Sequence, residues 1–224
     1  MSETETGVCL GHVRGTVSAN FGVKDTGKGN VCEAVVQAPD GSGGFYEVRV
    51  SGWDARAKEL VETAKKGTRV QITGGLVNSE WEKDGEEGKT NRRIQLILSN
   101  DDHSVAAADA GDDMNSANIA GLVTFAGEVG EMNWEKNGEK KKLSKQFLFV
   151  QTPVKAHDGS IKKPSVPVEI LGKATELGIK KGDRIELTGE IRNIVLEDPK
   201  THIGVIQVTG PDPQIKIVEA AQAA

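Results

Sequence analysis

Residues 58–76 read KELVETAKKGTRVQITGGL, and residues 173–191 read KATELGIKKGDRIELTGEI. Laid over one another at a constant offset of 115 residues, without a gap, the two share a leading Lys, a Lys-Lys-Gly stop and a Thr-Gly near the end. In the first copy Ala57, Leu60, Val61 and Ala64 recur at helical spacing, with Asp54 placed to cap the first turn and Gly67 to end the helix after two lysines. The period then switches to strand alternation in TRVQITGGLV. A box that passes from helix to strand and occurs twice predicts a duplicated module.

The surrounding sequence extends each copy. VCLGHVRGTV at 8–17 and the stretch 31–38 read as strands on either side of the turn-rich KDTGKGN. In FYEVRVSGW at 45–53, Tyr46, Val48 and Val50 share one face and Glu47, Arg49 and Ser51 the other. After the fourth strand, SEWEKDGEEGKTNR is too charged for a core and reads as a hairpin arm with its tip near Asp84 and Gly85, followed by RIQLILS. In the second copy GEV at 127–129 takes the place of GTV at 15–17, Gly178 interrupts the helix, and Pro153, Pro164 and Pro167 mark a longer loop into the third strand. Each unit thus has five strands and one helix between the third and fourth. Five short antiparallel strands leave edges unless the sheet curls shut, which predicts an all-β protein of tandem five-stranded OB-fold barrels. The expected domains are 1–100 and 119–218, with 101–118 an acidic flexible linker that has little to bury.

Charge supports that division. The three segments carry nets of -1, -5 and +1, so the acidity sits in 101–118 while each unit is near neutral. No strong basic field advertises a nucleic-acid partner, and none is excluded. No apolar run reaches membrane-spanning length and the first residues lack a secretory pattern, so the expected compartment is the cytoplasm. Cys9 and Cys32 stand 23 residues apart without companion thiols and the four histidines are scattered, so no metal site or cofactor is expected. EEGKT at 86–90 lacks the earlier glycine of a phosphate-binding loop, because that position is Lys83, and no Ser-His-acid arrangement emerges. An enzyme is not expected.

The stretch from FYEVRV through KKGTRVQITGGL to SEWEKDGEEGKTNRRIQLIL resembles the bacterial single-stranded DNA-binding protein family: an aromatic-led third strand, a helix ending in Lys-Gly, a glycine-containing fourth strand and a tryptophan-bearing arm. The likeness spans residues 8–100 well and 119–217 more weakly. It implies base stacking by Phe45 and Trp81. Independently of the family, Trp81 lies between Glu80 and Glu82 in a polar arm, where a large ring has little core to enter. Phe21 and Trp134 sit beside lysine-rich turns and extend the list of stacking candidates, as does Trp53 at the strand-to-helix junction; Tyr46 reads as core. Phosphate candidates are Arg14, Arg49, Arg69, Arg92 and Arg93 in the first unit and Lys140, Lys141, Lys142 and Lys145 in the second, although Arg92 and Arg93 cannot leave the same sheet face.

The expected partner is single-stranded DNA, bound without strong sequence choice during replication, recombination or repair, with a homodimer supplying the four OB-folds that the family often assembles. The alternatives are a structural or protein-binding OB module and single-stranded RNA binding. The second arm, RNIVLEDPKTHIG, has Val195 and Leu196 near the place of Trp81, and the chain ends in IKIVEAAQAA where the family usually carries an acidic tail ending in Pro-Phe. Recruitment of replication or repair proteins through such a tail is therefore not implied.

Overall fold

A computed structural model describes residues 7–39, 44–82, 90–109, 111–136, 139–155, 160–197, 200–209 and 214–221. The first half runs β1 (Cys9–Asp25), β2 (Asn30–Pro39), β3 (Phe45–Trp53), α1 (Ala55–Thr63), β4 (Arg69–Glu82), β5 (Thr90–Leu98) and β6 (Ser104–Ala107). The second runs β7 (Met114–Ala126), β8 (Gly130–Lys136), β9 (Glu139–Gln151), β10 (Val154–Lys155), β11 (Ile161–Lys162), β12 (Ser165–Leu171), a 3-10 helix at Gly172–Leu177, β13 (Arg184–Glu197), β14 (Lys200–Val208) and β15 (Ile215–Glu219).

In the first half the pairings run β1–β2, β2–β3, β3–β5, β5–β4 and back from β4 to β1, a closed circuit in which only β3–β5 is parallel. The second half repeats it as β7–β9–β12–β14–β13–β7, again with one parallel pair, β12–β14. Inside each circuit sit the apolar alternates. Val13, Val17, Val36, Val48, Val50, Ile72 and Leu96 are buried in the first, with Val123, Leu148, Val150, Val168, Ile185 and Ile206 in the second. Helix α1 packs on β2 and β3 through Ala57, Leu60 and Ala64, the positions its periodicity marked.

Several expectations are corrected. Part of the presumed tether, 101–118, is strand: β6 pairs with β4 and buries Val105, and β7 begins at Met114. Arg69 pairs with Asp113 at 2.6 Å, and Arg14 donates to the backbone carbonyl of Asp112, so two arginines hold the middle of the segment. With β15 on β13 in the matching place, each half carries an added strand beyond the circuit of five, and the second half has β8, β10 and β11 besides. Asp54 does not cap α1 through its side chain. It adopts φ 49°, its N–H donates to the Asn30 carbonyl, and its Oδ1 accepts the Asn30 N–H, so it ties the β1–β2 turn to the start of the helix. The helix ends at Thr63, before the lysines; Gly67, at φ 83°, instead donates its N–H to Val17 in a turn. In the second half only a six-residue 3-10 helix forms, because Gly178 takes the left-handed conformation at φ 63° and closes it.

The first strands also correspond at a different register. Gly15 pairs with Val70 on β4, and Gly121 pairs with Ile185 on β13, 115 residues after Val70. GTV at 15–17 therefore matches GLV at 121–123, not GEV at 127–129. Both glycines are sterically required: a Cβ would lie 1.9 Å from the Gln37 carbonyl oxygen at Gly15 and 2.5 Å from that of Gln151 at Gly121. The two halves join where β1 pairs antiparallel with β7, from Cys9–Ile119 to Arg14–Met114. They meet again where β14 crosses β5, with Gly204 against the backbone of Arg93 and Ile94.

Candidate nucleic-acid interface

Alternation along β3 sends Tyr46, Val48 and Val50 one way and Phe45, Glu47, Arg49, Ser51 and Trp53 the other. Opposite this second row stand Gln37, Val35, Glu33 and Val31 of β2. Phe45 is 58% exposed at one end of the row and Trp53 37% at the other, too wet for core residues of their size. On the neighbouring strand β1 the register shifts between Asn20 and Val23, and Phe21 stands in that bulge, half exposed, with the Arg49 guanidinium 5.7 Å from its ring centroid. Arg49 also lies 3.6 Å from Glu33, an ion pair about one-third exposed on each side.

The arm brings up the other side. Trp81 on β4 faces Asn91 on β5, and Arg93, one diagonal step along, lies over the Trp81 ring at 4.7 Å. Trp81 is half-buried. Burial, and then the positive charge of Arg49, pull the pKa of Arg93 below its ordinary value, with Glu33 and Glu47 acting against them. The two guanidiniums therefore feel one another across a cleft of about 300 Å³ whose lining includes Phe45, Tyr46, Glu47 and Asn193. Phe21, Phe45, Arg49, Trp53, Trp81 and Arg93 thus gather around the outer side of β1–β3 and the adjoining β4–β5 arm.

Other candidates stand elsewhere. Arg14 and Arg69 are engaged with Gln71 and the acidic stretch 111–113 beside the β1–β7 seam. Arg92 leaves β5 on the side opposite Arg93 and reaches the second half, where it lies 5.9 Å from the Phe149 ring. Lys142 pairs with Glu131 at 2.7 Å on an exposed hairpin, and Lys145 pairs with the buried Glu169. The side chains of Trp134, Lys140, Lys141, Val195 and Leu196, and the arm tip at Asp84 and Gly85, lie outside the described residues. Tyr46, read as core, is half-buried and stacks on Arg192 of the second half at 5.4 Å.

Sequence reasoning missed a group in the second half. Phe125 pairs directly with Phe149 across β7–β9; the rings stand edge to face at 6.1 Å, and Phe147 meets Phe149 at 5.2 Å. Phe125 is about half exposed. The signal was present in KQFLFVQ, which is apolar in both phases: Leu148 and Val150 fill the interior, so Phe147 and Phe149 must line the outside.

Among the described residues no group of three or more His, Cys, Asp or Glu side chains is arranged to hold a metal ion, and no helix is long and apolar enough to cross a membrane. No family model matches the sequence, and no curated protein matches it. Solved structures do. The wild-type single-stranded DNA-binding protein of Thermus aquaticus aligns over 98% of this chain and 98% of its own, with a TM-score of 0.64 at 16% identity. A deletion mutant of the same protein aligns over 98% and 99%, with a TM-score of 0.61 at 16% identity. The likeness is one of fold, and it extends over both halves.

Proposed function

We propose that this chain binds single-stranded DNA without strong sequence preference, protecting it during replication, recombination or repair. The observation that carries the reading is the row Phe45–Arg49–Trp53 with Phe21 beside it and the half-buried Trp81–Arg93 pair at its edge: three rings left in water and a fourth partly so, interleaved with guanidiniums, on the outer face of a closed sheet. Any nucleobase offers a flat face to stack on such rings, and Arg neutralises the phosphates between them, so neither interaction reads sequence. The fold-level likeness to a protein named for single-stranded DNA binding supports the same reading.

We read each closed circuit of five strands as the wall of an OB-type barrel, with units at 1–100 and 119–218. In the second, Phe125, Phe147 and Phe149 replace the aromatic row of the first, and Arg92 extends the cationic side across the junction. Trp134 and the lysines at 140–142 and 145 add a second arm. Two joined units raise the effective concentration of each for the same strand. A homodimer would bring four units to one strand. Binding requires no bond chemistry.

The test is quenching of tryptophan fluorescence by poly-dT at two salt concentrations, repeated with Trp81→Ala. At ~1–3 kcal/mol per stacked base, the variant should bind about 5- to 150-fold more weakly. Affinity for the intact protein should fall as salt rises. An intact protein that poly-dT leaves unquenched and unbound overturns the reading, and tighter binding to poly-U would transfer it to RNA.

A further inference from the structure

Two arginines on different strands share the cleft of about 300 Å³ between β3 and β5, a volume at the small end of ligand sites and suited to one residue of a polymer. Arg49 comes from β3 and Arg93 from β5, whose strands run parallel with Arg49 level with Gln95. Each guanidinium is backed by a ring, Phe21 behind Arg49 and Trp81 behind Arg93, so neither head can swing away without losing that contact.

Their charge is incompletely answered. Arg93 has no ion-pair partner among the described residues, and the Nε of Arg49 is buried without a hydrogen-bond partner. Glu33 approaches Arg49 only to 3.6 Å, beyond hydrogen-bond length, and its other oxygen is 3.5 Å from the Ser51 hydroxyl. Such a carboxylate, one-third exposed and loosely seated, gives way to a ligand that offers several oxygens in fork geometry.

The lip of the cleft belongs to the second half. Asn193 on β13 donates from Nδ2 to the carbonyls of Glu47 and Ile94 and accepts the Ile94 N–H at Oδ1. Both amide N–H donors are engaged with backbone carbonyls, so Asn193 has no donor left to read a base edge. It holds the Glu47 end of β3 against β5 and so fixes the separation of the two arginines.

We propose that this cleft is a one-phosphate subsite completed by both halves of the chain: Arg49 and Arg93 grip a single phosphate of the bound strand, Phe45 takes the adjoining base, and Glu33 is the internal anion that the phosphate displaces. This rests on the single-stranded DNA reading above. It goes further in naming which two cations act together, in making Glu33 a brake on binding, and in making the site dependent on Asn193.

The experiment measures affinity for a 5′-hydroxyl dT oligomer across a salt series in the intact chain, Arg49→Ala/Arg93→Ala, Glu33→Gln and Asn193→Ala. The double variant should lose at least tenfold in affinity at low salt, and its log–log salt slope should shrink by about 0.7, one single-strand phosphate contact. Glu33→Gln should bind several-fold tighter at low salt, with the gain vanishing at high salt. Asn193→Ala should bind more weakly than the intact chain. An unchanged slope in the double variant, with the intact chain still binding and Trp81→Ala still weakened, overturns the subsite and leaves the DNA reading standing. A Glu33→Gln variant that binds no tighter removes the brake.

A second arm titrates inorganic phosphate and dTMP while following the Arg49 Nε–H resonance. A saturable shift that Arg93→Ala abolishes, in a protein that ignores the oligomer, keeps the phosphate subsite and rejects the DNA reading. No shift and no oligomer binding rejects both.

Discussion

Gly11 pairs with Ala117, its own counterpart in the other half of the chain. The equivalence follows from the fourth strands: Gly11 faces Gly74 on β4 and Ala117 faces Gly189 on β13, 115 residues later. Between two residues that pair as equivalents runs a local two-fold axis, and the β1–β7 ladder reads the same from either end. Side chains repeat the relation. His12 Nδ1 lies 3.0 Å from the Thr73 hydroxyl, and at the matching place the Thr188 hydroxyl donates to Asn118 Oδ1 at 2.8 Å. The two halves are thus arranged as a symmetric pair contained in one chain.

A close backbone crossing of the two halves gives the first prediction. A Cβ on Gly204 would lie 2.2 Å from the Ile94 nitrogen and 2.7 Å from backbone atoms of Arg93, none of which can yield without separating β14 from β5. Gly204→Ala should lose ~1–3 kcal/mol of stability in denaturant titration. Gly130→Ala, where a Cβ meets nothing within 4 Å, is the matched control and should be close to neutral. Equal behaviour of the two would deny a tight crossing.

His103 makes stability depend on pH. It is buried, and its Nδ1 accepts the backbone N–H groups of Ser99 and Asn100, an arrangement open only to the neutral ring. Burial lowers its pKa below the ordinary 6.5, Arg56 adds to the effect and Asp102 opposes it. The unfolded chain therefore binds the proton first, and the stability contributed by the neutral ring is present above about 6.5 and is lost as pH falls below it. Denaturant midpoints at pH 7.5 and 5.5 should show that fall. His103→Gln, with an amide oxygen in place of the ring nitrogen, should flatten it; an equal fall in the variant assigns the effect elsewhere.

Cys9 is buried, and the cost of burying a thiolate pushes its pKa up to about 12; Cys32 is likewise buried and raised, first by burial and then by Glu33. Neither thiol should react with an aromatic disulfide reagent in the native protein at pH 8, and both should react on unfolding. Fast labelling of either thiol without denaturant would contradict the packing.

The second half can be tested on its own face. Phe125→Ala removes an exposed ring whose neighbours are Phe149 and, beyond it, Arg92. If the bound strand continues from the first half onto the second, long oligomers should lose about 5- to 150-fold in affinity, whereas oligomers too short to span both halves should lose much less. Equal effects at every length would assign Phe125 no share in a continued path.

Much of this was legible in the residues. The buried and exposed phases of FYEVRVSGW, the apolar side of α1 and the weakening of the second helix at Gly178 all follow from period and glycine chemistry over a few positions. The aromatic and basic candidates were visible one by one, but their partners were not. Arg92 and Arg93 are adjacent, and alternation required only that they diverge. That one finds Trp81 and the other finds Phe149 in the opposite half depends on contacts far along the chain. The acidic, apolar-poor composition of 101–118 suggested a tether, and the cations that hold part of it, Arg14 and Arg69, lie at least 42 residues away in sequence.

By itself the sequence determined that a helix-to-strand box occurs twice and which side of strands such as FYEVRVSGW is apolar, because those are short-range consequences of side-chain period and backbone conformation. Tertiary structure decided the register of the first strands, moving the match for Gly15 from Gly127 to Gly121, and it decided that Gly11 would meet Ala117. A strand repeats every two residues, so its pattern leaves several registers alike; only closing the sheet, with a carbonyl at 1.9 Å or 2.5 Å where a Cβ would stand, selects one.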